Sequence, residues 1–129
     1  MKLNASKYGS RKVMANIDGA NVVFDSKAEY ARYRHLQLLQ KAKLISGLQL
    51  QPKFELAASF KRNGKTHRAT HYVADFLYTK DQKTVVEDVK GMKTSVYQIK
   101  KKLFLNKYGE GLTFIEVMFA RNKFTEKEI

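Results

Sequence analysis

Apolar and polar positions alternate in short runs along most of the chain, and two longer stretches carry helical spacing instead. Residues 12–24 hold two strand-like runs around Asp18-Gly19, a dipeptide that favours the left-handed conformations of a tight hairpin turn. Ser26 and Glu29 form an S-x-x-E capping pattern ahead of a stretch without glycine or proline. A helix is expected from Lys27 to about Lys43, with Ala28, Ala31, Leu38, Leu39 and Ala42 as its apolar stripe and Gly47 as its stop signal. The run 48–56 alternates and reads as a strand whose Pro52 marks an edge or an irregular position. Asn63-Gly64 marks a turn. Residues 68–79 and 83–91 are rich in β-branched and aromatic residues and read as two strands of an antiparallel hairpin. Thr94 or Ser95 caps a second helix, 96–108, closed by Gly109, and the apolar run 112–120 is a strand covered on both faces.

After the N-terminal β-hairpin the order is α-β-β-β-α-β. An α/β fold with a mixed central sheet flanked by helices is the simplest packing of that list. The last strand, reached through a helix, is expected to run parallel to its neighbour. No repeat, linker or low-complexity tract divides residues 1–129, so one domain is expected, with 1–12 as a basic arm.

Composition narrows the chemistry. With no cysteine there is no disulfide framework, thiol nucleophile or sulfur-rich zinc site. No apolar run is long enough to cross a bilayer and the N-terminus lacks a signal-peptide core, so a cytoplasmic protein without membrane partners is expected. The net charge of +13 points to a polyanionic partner, DNA first. Residues 1–17 include Arg11 and Lys12, and 89–109 include Lys93, Lys100, Lys101 and Lys107, with no acid in either stretch. These six are the candidate backbone contacts. Six neutralised phosphates would give a salt slope of about −5. No glycine-rich phosphate loop or G-x-S-x-G elbow is present, so no nucleotide cofactor is expected, and His35, His67 and His71 do not form a helical metal pair.

Asp75, Asp88 and Lys90 stand out because they interrupt strands that otherwise belong in a core. Asp88 and Lys90, two apart, share one face of a strand, whereas Glu87 points the other way with Val85 and Val89. Asp75, on the preceding strand of the hairpin, can reach Asp88. Two adjacent buried carboxylates repel and raise each other's pKa unless a cation lies between them. Hard oxygen donors suit Mg²⁺ or Mn²⁺. The competing reading is a salt-bridge network in which Lys90 neutralises Asp88 and an arginine neutralises Asp75.

The pieces FDSKAEYARY, YVADF and VVEDVKG resemble the PD-(D/E)XK nuclease superfamily, the restriction-endonuclease-like fold, over residues 17–119. Ala74 stands where that pattern has proline, and Asp88 where glutamate is commoner. More narrowly, the chain looks like a phage and prophage family known as domain of unknown function 1064, taken to be similar to Holliday junction resolvases. The resemblance implies a Mg²⁺- or Mn²⁺-dependent DNA endonuclease, dimeric and selective for branched duplexes, working in a bacterial host. It implies that Asp75, Asp88, Glu29 and the carbonyl of Val89 hold the ion, and that Lys90 acts on the water and the phosphoryl charge. Glu29 has a second reading, as the capping-box residue bonded to the backbone of Ser26. A non-catalytic DNA-binding protein on a nuclease fold and a basic scaffold for RNA or protein are the alternatives.

Overall fold

The computed structural model describes residues 12–129. Two helices, α1 (Lys27–Lys41) and α2 (Ser95–Tyr108), accompany eleven strands. These are β1 (Val13–Ile17), β2 (Ala20–Phe24), β3 (Ser46–Leu50), β4 (Lys53–Ala57), β5 (Phe60–Arg62), β6 (Lys65–His67), β7 (Thr70–Val73), β8 (Phe76–Lys80), β9 (Lys83–Val89), β10 (Leu112–Ala120) and β11 (Lys123–Glu128). The main sheet is open and mixed, in the order β11-β10-β9-β8-β3; β9 and β10 run parallel and the other neighbours antiparallel. Three two-stranded ribbons, β1-β2, β4-β7 and β5-β6, stand beside it.

Each face of the main sheet carries one helix. Adjacent β9 residues point to opposite sides, so Val85 packs with Tyr33 and Leu36 of α1, while Val86 packs with Tyr97 and Phe104 of α2. The mixed α/β architecture and the parallel pairing of β10 with β9 across α2 agree with the expectation.

Several elements differ from the sequence pattern. Seven strands, not three, lie between the helices. The run 48–56 breaks where Gln51 adopts φ 52°, ahead of Pro52, giving β3 and β4. The run 68–79 breaks at Ala74-Asp75, so that β7 pairs with β4 while β8 enters the main sheet. Backbone bonds from Ala74 N to Pro52 O and from Asp75 N to Glu87 O hold this break in place. Strand β11 forms through a two-residue turn at Arg121-Asn122, both at positive φ.

Gly47 lies in β3, not at the end of α1; Lys43 takes the left-handed conformation there. The buried face of α1 is Glu29, Arg32, Tyr33 and Leu36, and Leu38 is exposed. Two charged residues occupy core positions on this helix because partners await them. Arg32 gives Glu87 a bidentate pair, 2.8 Å at both contacts, and reaches Glu126 of β11 at 2.7 Å, while the Tyr78 hydroxyl also donates to Glu87. Among the described residues, no helix is long and apolar enough to cross a membrane.

Candidate active site

A cleft of about 400 Å³ opens where the N-terminal ends of both helices meet the β7–β8 break and the end of β9. Its lining includes Asp25, Ser26 and Glu29 from the start of α1, Asp75 from the break, and Val89, Lys90 and Thr94 from the stretch leading into α2. Ser26 caps α1 by accepting from Glu29 N at 3.1 Å, and Thr94 caps α2 by accepting from Tyr97 N. The Glu29 carboxylate accepts from Asp25 N at 3.1 Å, one residue before the expected Ser26, and still lines the cleft. Capping and a second role are compatible here, because one backbone bond occupies one oxygen. Helix N-termini carry partial positive charge and suit an anionic substrate. The first turn of α2 holds no acid that would cancel this.

Asp75 Oδ2 accepts from Val89 N at 2.7 Å, which fixes its carboxylate at the mouth of β9. Asp88 is fully buried and does not line the cleft. Among the described residues neither of its carboxylate oxygens makes a hydrogen bond of good geometry; the weaker contacts that hold its pKa down come from Lys90, 3.5 Å from Oδ1, and from the Asp75 backbone. Lys90 lies across the Tyr97 ring, 4.5 Å from the centroid, so Asp88 and Lys90 share the α2 face. Half of the salt-bridge reading is thus present, in the Lys90–Asp88 contact. Its other half is not, since Arg32 serves Glu87 and Glu126, and no arginine meets Asp75 among the described residues.

The electrostatics follow from burial. Desolvation, then repulsion from Asp75, pushes the Glu29 carboxyl up to about 8. Burial raises Asp75 to about 6 and Asp88 to about 7, against the pull of Lys90 on both. Three carboxyl groups are therefore short of positive charge around one cleft. For a divalent cation the donor chemistry fits: hard carboxylate oxygens, two of them orphaned on Asp88. Among the described residues, no three Asp, Glu or His side chains already converge as a metal-binding group.

Glu116 is the site residue that sequence reasoning did not single out. It sits on β10 opposite Asp88 in register. Burial alone would raise its pKa, but Tyr97, Lys93 and Lys101 hold it down to about 2. The Tyr97 hydroxyl donates to it at 2.5 Å, Lys101 at 3.0 Å, and Lys93 lies 2.9 Å away. A lone acid inside LTFIEVMFA was the available signal.

The candidate DNA-contacting lysines separate. Lys93 and Lys101 are tied to Glu116, and Lys107 donates to the Glu55 carbonyl at 3.0 Å. Lys12 pairs with Asp25 at 3.3 Å in an exposed contact. Lys100 is half-buried on α2. Arg11 lies outside the described residues, as does the arm through residue 11.

A cleft lined by carboxylates and a lysine at one end of a mixed α/β sheet is the class of arrangement these observations outline. The chain belongs to the family described as "Protein of unknown function (DUF1064)", whose model matches residues 5–123. No curated protein matches it significantly. Among solved structures it is similar to one described as "Crystal structure of SSO0001", at 17% identity and a TM-score of 0.45. That match covers 78% of this chain and 50% of the other, so this chain spans about half its length.

Proposed function

We propose that the protein is a Mg²⁺- or Mn²⁺-dependent DNA endonuclease of the PD-(D/E)XK type, with a restriction-endonuclease-like core, acting on branched duplexes. The observation that carries this reading is the juxtaposition of under-compensated carboxylates and a lysine at one cleft: Glu29, Asp75 and Lys90 line it, and Asp88 sits behind Lys90, 3.5 Å from its ammonium and without a well-formed hydrogen bond. Asp75, Asp88 and Glu29, with the Val89 carbonyl, would hold the ion. When bound, the ion supplies a lowered water pKa and stabilisation of phosphoryl charge.

The chain's own groups account for the rest. Val89 N–H orients the Asp75 carboxylate. The Lys90 ammonium, a compact charge steadied by the Tyr97 ring, orients water and stabilises negative charge growing on the phosphoryl oxygens. Glu116 neutralises Lys93 and Lys101 beside it and anchors Tyr97 under Lys90. Two strand scissions on a branched duplex suit a homodimer, and a bacterial cytoplasm suits a phage or prophage enzyme.

A second reading, a DNA-binding protein without catalysis, draws on the seclusion of Asp88 and its contact with Lys90. Incubation with labelled four-way junction, flap, linear duplex and single-stranded DNA distinguishes the two. Wild type with Mg²⁺ or Mn²⁺ should cut a branched substrate, EDTA should stop it, and Asp75→Asn and Lys90→Ala should bind without cutting. Binding with no cutting under either metal supports the second reading and overturns the first; equal cutting by the variants also overturns it.

A further inference from the structure

We propose that the β5-β6 hairpin is a second DNA-gripping element, separate from the cleft, which tracks the phosphate backbone of a duplex arm. This deepens the nuclease reading and rests on it. The ribbon stands apart: its strands pair with each other and with no other strand, and every residue of both is exposed. The turn is tight, with Asn63 at φ 50° and Gly64 at φ 77°, so the projection has a defined shape.

Its surface chemistry is one-sided. Residues 56–74 contain Lys61, Arg62, Lys65, Arg68, His67 and His71 and no acid. Arg62 and Lys65 face each other directly across the ribbon, a like-charge pairing that opposes hairpin formation. None of the four lysines and arginines has an ion-pair partner among the described residues. A local conflict of this kind, left uncompensated, marks a surface kept for a partner that supplies the missing charge. On the same ribbon face Phe60, 56% exposed, stacks on the His67 ring at 4.7 Å and 10° between planes. A flat platform beside two cations matches a sugar-phosphate strand, and a two-stranded ribbon matches the width of a duplex major groove.

Placement favours the same partner. Strand β7 links the ribbon to Asp75, so ten residues separate Lys65 from the cleft, at most about 33 Å of extended chain. The separation therefore does not exceed about one duplex turn, so one arm can engage the ribbon and the cleft together.

The test compares K61Q/R62Q/K65Q with an equal-charge control, K41Q/K123Q/K127Q, and wild type. Binding to a labelled branched duplex is measured between 50 and 200 mM salt, with a thermal melt for each protein. The hairpin variant should lose at least tenfold in affinity at 100 mM salt, and its log K–log salt slope should become shallower by about 2 to 3. The control should keep the wild-type slope. At saturating DNA the hairpin variant should still cut with its kcat unchanged, because the cleft is intact. A hairpin variant with wild-type slope, or a control that loses as much, overturns this inference while a cutting wild type keeps the nuclease reading. A wild type that binds no DNA overturns both.

Discussion

Replacing Asp88 by asparagine separates a carboxylate waiting for a cation from one already neutralised. Asp88 is wholly buried, both its oxygens lack hydrogen bonds, and Glu116 lies opposite it in register. Its carboxyl is raised from 3.8 to about 7 by burial. Because the folded-state value is the higher one, the folded protein holds this proton more tightly than the unfolded chain. Stability from this group is complete below about pH 4, falls as pH rises towards 7, and stays lost above that. The difference corresponds to roughly 4 kcal/mol at pH 8. The Asp88→Asn substitution removes the charge but buries an amide without partners, which costs about 1–3 kcal/mol. The net expectation in EDTA at pH 8 is a gain of about 1–3 kcal/mol, or several degrees in Tm. With Mg²⁺ at a hundred times its Kd, wild type recovers about 2.7 kcal/mol and the variant little. Thermal melts across pH 4–8, with EDTA and with Mg²⁺, read this directly. An Asp88→Asn protein less stable than wild type at pH 8 in EDTA would show that Lys90 already neutralises Asp88, and the reasoning would fail.

Arg32→Met leaves Glu87 buried without its cation and should cost about 3–5 kcal/mol in urea unfolding, whereas the double variant with Glu87→Leu should recover most of that; a double variant as unstable as the single one refutes the pairing. Glu116 has a folded-state pKa of about 2, below its ordinary 4.5, so its stabilisation is present above about pH 4.5 and lost as pH falls towards 2. Acid titration of Glu116→Gln by circular dichroism should show a flatter loss of structure across that window than wild type, and an unchanged acid limb would contradict the ion-pair account.

The hairpin at Asp18-Gly19 and the turn at Asn63-Gly64 were legible because those residues accept positive φ with little strain, whereas the β5-β6 ribbon around the second was not read as strands. The turn at Arg121-Asn122 uses the same backbone conformation without glycine, so β11 left no comparable mark. The break at Gln51 was signalled only by Pro52 as an irregular position, and the one at Ala74-Asp75 was hidden because the apolar pattern continues through it; both are set by pairing with distant strands. The buried face of α1 was misjudged for a related reason. Periodicity counts Glu29 and Arg32 as solvent positions, and only their hydrogen-bond partners, which for Arg32 lie far along the chain, offset the cost of burial. At the site, Asp75, Asp88 and Lys90 were visible as charges on apolar strands. Lys93 and Lys101 were visible only as part of an acid-free stretch, since their partner Glu116 lies on another element.

Strand β9 contains its own control experiment. Glu87 and Asp88 are neighbours, both fully buried, and pleating sends them to opposite faces. On the α1 side, Glu87 receives a bidentate arginine and a tyrosine hydroxyl. On the α2 side, Asp88 receives a lysine at 3.5 Å and a weak contact from the Asp75 backbone, while Tyr97, Lys93 and Lys101 lie on the same side of the sheet. Those three converge instead on Glu116, one strand further across the sheet. The fold can therefore bring strong charge partners to a buried acid, an arginine to Glu87 and two lysines to Glu116, although one Glu116 oxygen still lacks a well-formed hydrogen bond. A structural ion-pair network would have no reason to skip the residue between them, whereas a site that binds a cation from solution needs a carboxylate left unsatisfied beside the cleft.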